Sequence, residues 1–149
     1  VTDDHISKML DDLHPHDSTY HLRDLQNVIH KKYGDDSGLP RDVSDVPTHI
    51  MDKMLNSPNE EMRDRGSNFL DSLKPHHIEK IFKEGDSARV TRAFRSKVIP
   101  EHVLLSAAKT HEEPLIRNTA KKHLEVRYGE SYNSKMKEHG IKPERESLE

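Results

Sequence analysis

Apolar residues recur along the chain at helical spacing, in pairs of short runs. Ile50, Met54 and Leu55 make one such set, Ile78, Ile81 and Phe82 the next, and Val103, Leu104 and Ala107 the third. Steps of three and four residues put each set on one side of an α-helix. A second run follows each after a polar turn: Asn56-Ser57-Pro58-Asn59, Glu84-Gly85-Asp86-Ser87 or Thr110-His111-Glu112-Glu113. Asn59 and Asp86 are placed to cap the second helices, because a short side-chain oxygen accepts an N–H that the first turn leaves unpaired. No stretch alternates apolar and polar residues for long, so no strand is expected.

The runs are copies of one another. Each opens on Pro-x-His and a branched apolar residue: Pro47-Thr48-His49-Ile50, Pro75-His76-His77-Ile78 and Pro100-Glu101-His102-Val103, spaced by 28 and 25 residues. Proline suits the first helical position, where its missing N–H is not needed. The second helices read Met62-Arg63, Val90-Thr91 and Ile116-Arg117; four residues after the apolar position come Gly66, Phe94 and Ala120, and eight after it come Leu70, Val98 and Leu124. The expected core is Ile50, Met54, Phe69, Leu70, Ile78, Phe82, Phe94, Val98, Leu104 and Leu124. Truncating a core Phe82 to Ala is expected to cost about 3–5 kcal/mol.

A degenerate copy precedes the array. His5-Ile6-Ser7-Lys8-Met9-Leu10 echoes His49–Leu55 with one residue missing, and Asp17-Ser18-Thr19 reads as a cap before Leu22, Leu25 and Ile29. This pair stops at Tyr33-Gly34, and Gly34 to Pro40 is a loop by composition. The expected organisation is one helical-repeat domain over 1–129. It comprises a degenerate helix pair at 3–34, a loop at 35–45 and three regular repeats over 46–127. A polar, partly disordered tail follows over 130–149, with at best a short helix near Ser134–Glu138.

Composition fits this picture. Of 149 residues, 34% are charged and 31% apolar, little for a thick layered core. Stacked helix pairs bury only the faces between neighbours and need less. There is no Cys, which excludes disulfides, thiolate metal sites and a Cys nucleophile. The opening Val1-Thr2-Asp3-Asp4-His5 is not a signal peptide, and no apolar run reaches the length of a membrane span. The net charge is −3 with the 12 His neutral, which is not the balance of a dedicated nucleic-acid binder.

The unit, with its Pro-x-His opening, polar turn, apolar-Arg pair and small residue, resembles the short HEAT-like repeats close to the leucine-rich-repeat-variant class. Residues 100–124 are similar to repeat arrays in proteins of large tailed bacteriophages. The resemblance implies an all-α fold: a right-handed α-solenoid of about four helix pairs, whose surface grips another macromolecule. It implies a viral setting, host cytoplasm or virion. The residues before the prolines, Val46, Lys74 and Ile99, depart from the Ser or Thr such repeats often carry. Thr91 breaks the arginine series.

Candidate chemistry is sparse. Arg63, Arg89, Arg92, Arg95, Lys97, Arg117 and Lys121 fall on or beside second helices and offer a basic surface for binding; Arg89–Lys97 is the least compensated stretch. His49, His77 and His102 recur at equivalent positions, but neighbouring repeats lie about 10 Å apart, too far for one shared metal with bonds of about 2 Å. No phosphate loop, nucleophile elbow or His-Glu-x-x-His is present. The expectation is a non-enzymatic scaffold without metal or cofactor that holds a protein partner on its second-helix face. A nucleic-acid binder using the basic patch is the alternative. A HEAT-like DNA glycosylase ranks below both, since Phe69, Phe82 and Phe94 all fall at expected core positions.

Overall fold

The computed structural model describes residues 1–34, 43 and 45–148, and all regular structure among them is helical. The expected loop over 35–45 thus lies, except for residues 43 and 45, outside the described residues. The chain divides into two compact units, Val1–His77 and Ile78–Glu149.

The first unit holds α1 (Asp3–Asp11), α2 (Thr19–Tyr33), α3 (Thr48–Leu55) and α4 (Glu60–Ser67). Local chemistry starts each helix where the sequence places it. Thr2 and His5 form a reciprocal capping box, and Ser18 accepts from the His21 N–H. Asn59 accepts from the Met62 N–H at 3.1 Å, as expected of a cap. Helices pack like on like: α1 lies on α3, α2 on α4, and α3 pairs with α4. Ile6, Leu22, Leu25, Ile29, Ile50, Met54, Met62 and Phe69 are fully buried between them. Gly66 matters at the α3–α4 crossing, because a Cβ there would meet Met54 Cβ at 3.0 Å. Polar links tie the same helix pairs: Lys53 to Asp11 at 2.6 Å, Thr19 to Glu61 at 3.3 Å, and Arg65 to Gln26.

The division falls inside α5 (Pro75–Glu84). The second unit continues with α6 (Ser87–Ala93), α7 (Glu101–Thr110), α8 (Pro114–Tyr128) and α9 (Tyr132–Glu138). Asp86 caps α6 through the Arg89 N–H at 2.9 Å. Helix α8 pairs with α7, touches α6, and carries α9 against its end. Ile78, Val90, Phe94, Leu104, Ile116, Ala120 and Leu124 form the core. Phe94 meets Phe82 edge-on at 5.0 Å and stacks on His123 at 5.1 Å.

Three core expectations are corrected. Helices α4 and α6 stop at Ser67 and Ala93, so Leu70 and Val98 lie beyond their ends and off the helical face. Val98 is 40% exposed, and its neighbour Ile99 is buried instead. Leu70 sits half-buried in a 3-10 turn beside the fully buried Phe69. Only α8 is long enough to place its eighth-step residue, Leu124, in the core. Phe82 is half-buried rather than enclosed. Proline opens α5 as its first residue, whereas Pro47 and Pro100 stand one residue ahead of α3 and α7. The short helix expected near Ser134–Glu138 is α9, which begins at Tyr132, and Tyr132, Met136 and Ile141 are buried.

Candidate functional site

The repeat arginines are engaged by the backbone. Arg63 donates from Nη1 to the Ser57 carbonyl at 2.6 Å, and Arg117 donates from Nη1 to the His111 carbonyl at 2.5 Å. Both reach back six residues, across the turn that joins the two helices of their pair. A turn carbonyl close to a helix start has no helical N–H to accept from, and a guanidinium supplies one. Thr91, at the same position of the middle repeat, is too short for this and bonds the Ser87 carbonyl within α6 at 2.7 Å.

The other basic candidates have separate surroundings. Lys121 is 3% exposed and donates to the Glu144 carbonyl at 3.0 Å. Arg117 also holds the Glu146 carboxylate through Nε and Nη2, at 2.6 and 2.7 Å. Arg117 and Lys121 are therefore brought together, four residues apart on α8, and both face the tail. Arg89 and Arg92 are half-buried on α6; Arg95 and Lys97 are exposed just past its end. Arg63 belongs to the other unit. The sequence gives no sign that Asn118 joins Arg117 and Lys121, although its side chain pairs with the backbone of Glu146.

The repeat histidines do not share one environment. His49 and His102 are exposed, and His102 faces Glu79 at 3.4 Å, whereas His77 is 1% exposed. His77 Nε2 lies 2.6 Å and His76 Nε2 3.0 Å from the same Asp52 oxygen, and the two rings lie 3.9 Å apart. Among the described residues, this is the group of three whose donor atoms fall within metal-ligating reach, all within 4.8 Å of one another. The second nitrogen of His77 decides its chemistry. Its Nδ1 accepts the Lys74 N–H at 2.9 Å, the unpaired donor ahead of α5. A neutral imidazole with a lone pair at Nδ1 carries its proton at Nε2. His77 thus donates to Asp52 and offers a metal no lone pair without losing the helix cap. The arrangement is a hydrogen-bond clasp between α3 and the start of α5.

Charge states fit the clasp. Burial outweighs the Asp52 hydrogen bond and holds the His77 imidazole below its ordinary value. Burial pushes the Asp52 carboxyl up, but hydrogen bonds from His76 and His77 outweigh it, and the net shift is down. A neutral His77 beside an ionised Asp52 follows at neutral pH.

A groove of about 370 Å³ lies in the second unit between α5 and α7, with Phe82, Val103 and Ala107 on its apolar wall and Glu79 and His102 at its edge. No family model matches the chain, and no curated protein or solved structure is detectably similar to it.

Proposed function

We propose that the chain is a helical-repeat binding module, a right-handed α-solenoid of the HEAT-like kind with about four helix pairs. It holds a protein partner on its second helices and performs no reaction of its own. A scaffold of this type suits a bacteriophage protein working in the host cytoplasm or the virion. One observation carries the partner: α8, a second helix, keeps Leu115 and Val126 exposed, at 57% and 81%. With Thr119 and Lys122 they follow the spacing of one helical face. The repeat reading is supported by like-on-like packing within the first unit and by the shared arginine staple of Arg63 and Arg117. No described helix is long and apolar enough to cross a membrane.

The second reading, a nucleic-acid binder, rests on Arg95 and Lys97, which are both exposed, two residues apart, just past the end of α6. A base-removing enzyme has less behind it, since Phe69 and Phe94 are buried and cannot stack on a base. Anisotropy with labelled duplex and single-stranded DNA separates the first two. The partner reading expects no binding even at low salt. It also expects Val126→Arg to abolish cross-linking to a co-purifying protein while the helical signal is retained. DNA binding that collapses with salt and with Arg95→Glu would overturn it in favour of nucleic acid.

A further inference from the structure

Helix α8 turns one polar face toward residues 143–146. Arg117, Asn118, Lys121 and Glu125 lie on that face, within eight residues of each other. The segment opposite is irregular backbone with no buried residue from Lys142 to Leu148. Each bond to it has a distinct job. Tyr132 donates its hydroxyl to the Pro143 carbonyl at 2.7 Å, and Lys121 donates to that of Glu144 at 3.0 Å. Asn118 takes both backbone groups of Glu146, donating to its carbonyl at 2.9 Å and accepting its N–H at 2.8 Å. Arg117 grips the Glu146 carboxylate with two parallel bonds, and Arg145 reaches Glu125 at 3.1 Å.

This is how an extended peptide is recognised. An amide that donates to and accepts from one residue reads backbone alone and accepts any extended chain. A guanidinium clamped to a carboxylate reads one side chain, with geometry that Lys or a neutral group does not reproduce. The segment adds no apolar burial of its own and is held by polar bonds, exposed at Arg145 and Glu146 and part-buried at Pro143 and Glu144. A groove of about 410 Å³ lies between it and the helices, with Lys109, Arg117 and Lys121 on one side and Glu144, Arg145 and Glu146 of the segment itself on the other.

We infer that the α8 face of Arg117, Asn118 and Lys121 is a receptor for an extended segment of a partner protein that presents a carboxylate to Arg117, occupied here by the chain's own Pro143–Glu146 as a resident competitor. The segment it takes carries a carboxylate where Glu146 stands here, two residues after the one whose carbonyl meets Lys121. The inference deepens the reading as a protein-binding module and rests on it, since it names the chemistry of the partner. It also gives Arg117 two jobs: Nη1 closes the turn of the repeat, and Nε and Nη2 select a carboxylate.

The test uses a labelled peptide of residues 141–147, Ile-Lys-Pro-Glu-Arg-Glu-Ser, read by fluorescence anisotropy. It is added to the full chain, to a chain ending at Ile141, and to full-length Glu146→Lys, each checked for helical signal. A tethered tail competes at an effective concentration on the order of 1 mM, so a peptide binding at about 10 μM binds the full chain roughly a hundredfold more weakly. The two opened chains are expected to bind, and Asn118→Ala in the truncated chain to lose the peptide. A peptide with Lys in place of Glu146 is expected to bind at least about tenfold more weakly. Three results would overturn the assignment: no binding by either opened chain with its helices intact, equal binding of both peptides, or equal binding by full and truncated chains. A full chain that dimerises while the truncated one stays monomeric would put a second copy's tail in the groove and overturn it too. If the peptide fails while Val126→Arg still releases a partner, the receptor is lost and the binding-module reading survives.

Discussion

Arg63 and Arg117 occupy one repeat position in two different units, and their surroundings separate what the repeat needs from what it leaves available. Each gives one donor to a turn carbonyl six residues back. In the first unit the bond shown for Arg63, among the described residues, is this one to the turn. In the second, Nε and Nη2 of Arg117 take a carboxylate from a distant segment. A residue recurring in a repeat therefore has a structural first duty, and its spare hydrogen-bonding capacity is where two copies diverge.

The largest expected effect tests whether the two units differ as much in their cores. Phe69 is fully enclosed in the first unit, and Phe82 is half-buried at a groove in the second. Phe69→Ala is expected to cost about 3–5 kcal/mol, as a buried aromatic leaves a cavity. Phe82→Ala keeps one wall open to water and is expected to cost about 1–2 kcal/mol. Denaturant melts of both variants decide it, and equal losses would erase the distinction.

Next comes the arginine pair itself. Arg63→Ala strands the Ser57 carbonyl in a turn where Ser57 is 4% exposed, at an expected cost of about 1–3 kcal/mol. Arg117→Ala strands a carbonyl in the same way and also frees Glu146. Its signature is a second, local change: exchange of the Glu146 N–H, which Asn118 holds, should quicken before the rest of the unit responds. Arg117→Lys should restore neither the turn bond nor the carboxylate clamp. If exchange of the Glu146 N–H stays slow in Arg117→Ala, the two arginines are equivalent after all.

Much of this comparison was legible beforehand. The 25–28-residue spacing places the helices, and Asn59, Asp86 and Ser18 cap where a short polar side chain precedes an apolar face. Leu70 and Val98 depart from the expected core because periodicity alone does not say where a helix stops, and α4 and α6 stop after two turns, whereas α8 runs on and buries Leu124. The arginines read as a binding surface because their charge is visible in sequence and their carbonyl partners are not. Backbone acceptors have no letter, and the same blindness hides Asn118, whose partners are the N–H and C=O of Glu146.

Acid should weaken both units through different groups. In the first, His77 is held below its ordinary value by burial, so the unfolded chain takes up a proton there before the folded one. That contribution is complete above about pH 6.5 and declines as pH falls through this value toward the lowered native one. Asp52, also lowered, loses its contribution further into acid. In the second unit Glu146 is lowered by its Arg117 hydrogen bonds, so the tail lets go only in acid. Burial lowers His123 as well, with Lys122 and Arg127 adding to it. Thermal melts from about pH 7.5 to about pH 5 should fall for the wild type and fall less for His77→Ala. An unchanged slope in His77→Ala would place the sensitivity in the second unit, on His123.

The smallest expected effect concerns zinc, and it bears on what the Asp52 clasp is for. The two imidazole nitrogens lie 2.6 and 3.0 Å from the carboxylate oxygen, somewhat tighter than the edge of about 3.3 Å in a tetrahedral zinc site, and all three atoms lie within 4.8 Å of one another. Distance alone would admit the ion. The proton does not: with Nδ1 accepting the Lys74 N–H, Nε2 of His77 is a donor, and ligation would force the backbone N–H against a second N–H. His76 and Asp52 then remain as two ligands on a half-open surface, too few for a structural site. Micromolar Zn²⁺ should therefore leave the melting temperature of the first unit unchanged. A saturable rise that disappears in both His76→Ala and His77→Ala would mean that the metal outcompetes the helix cap. The first unit, like the second, would then hold a ligand with groups that otherwise close its own fold.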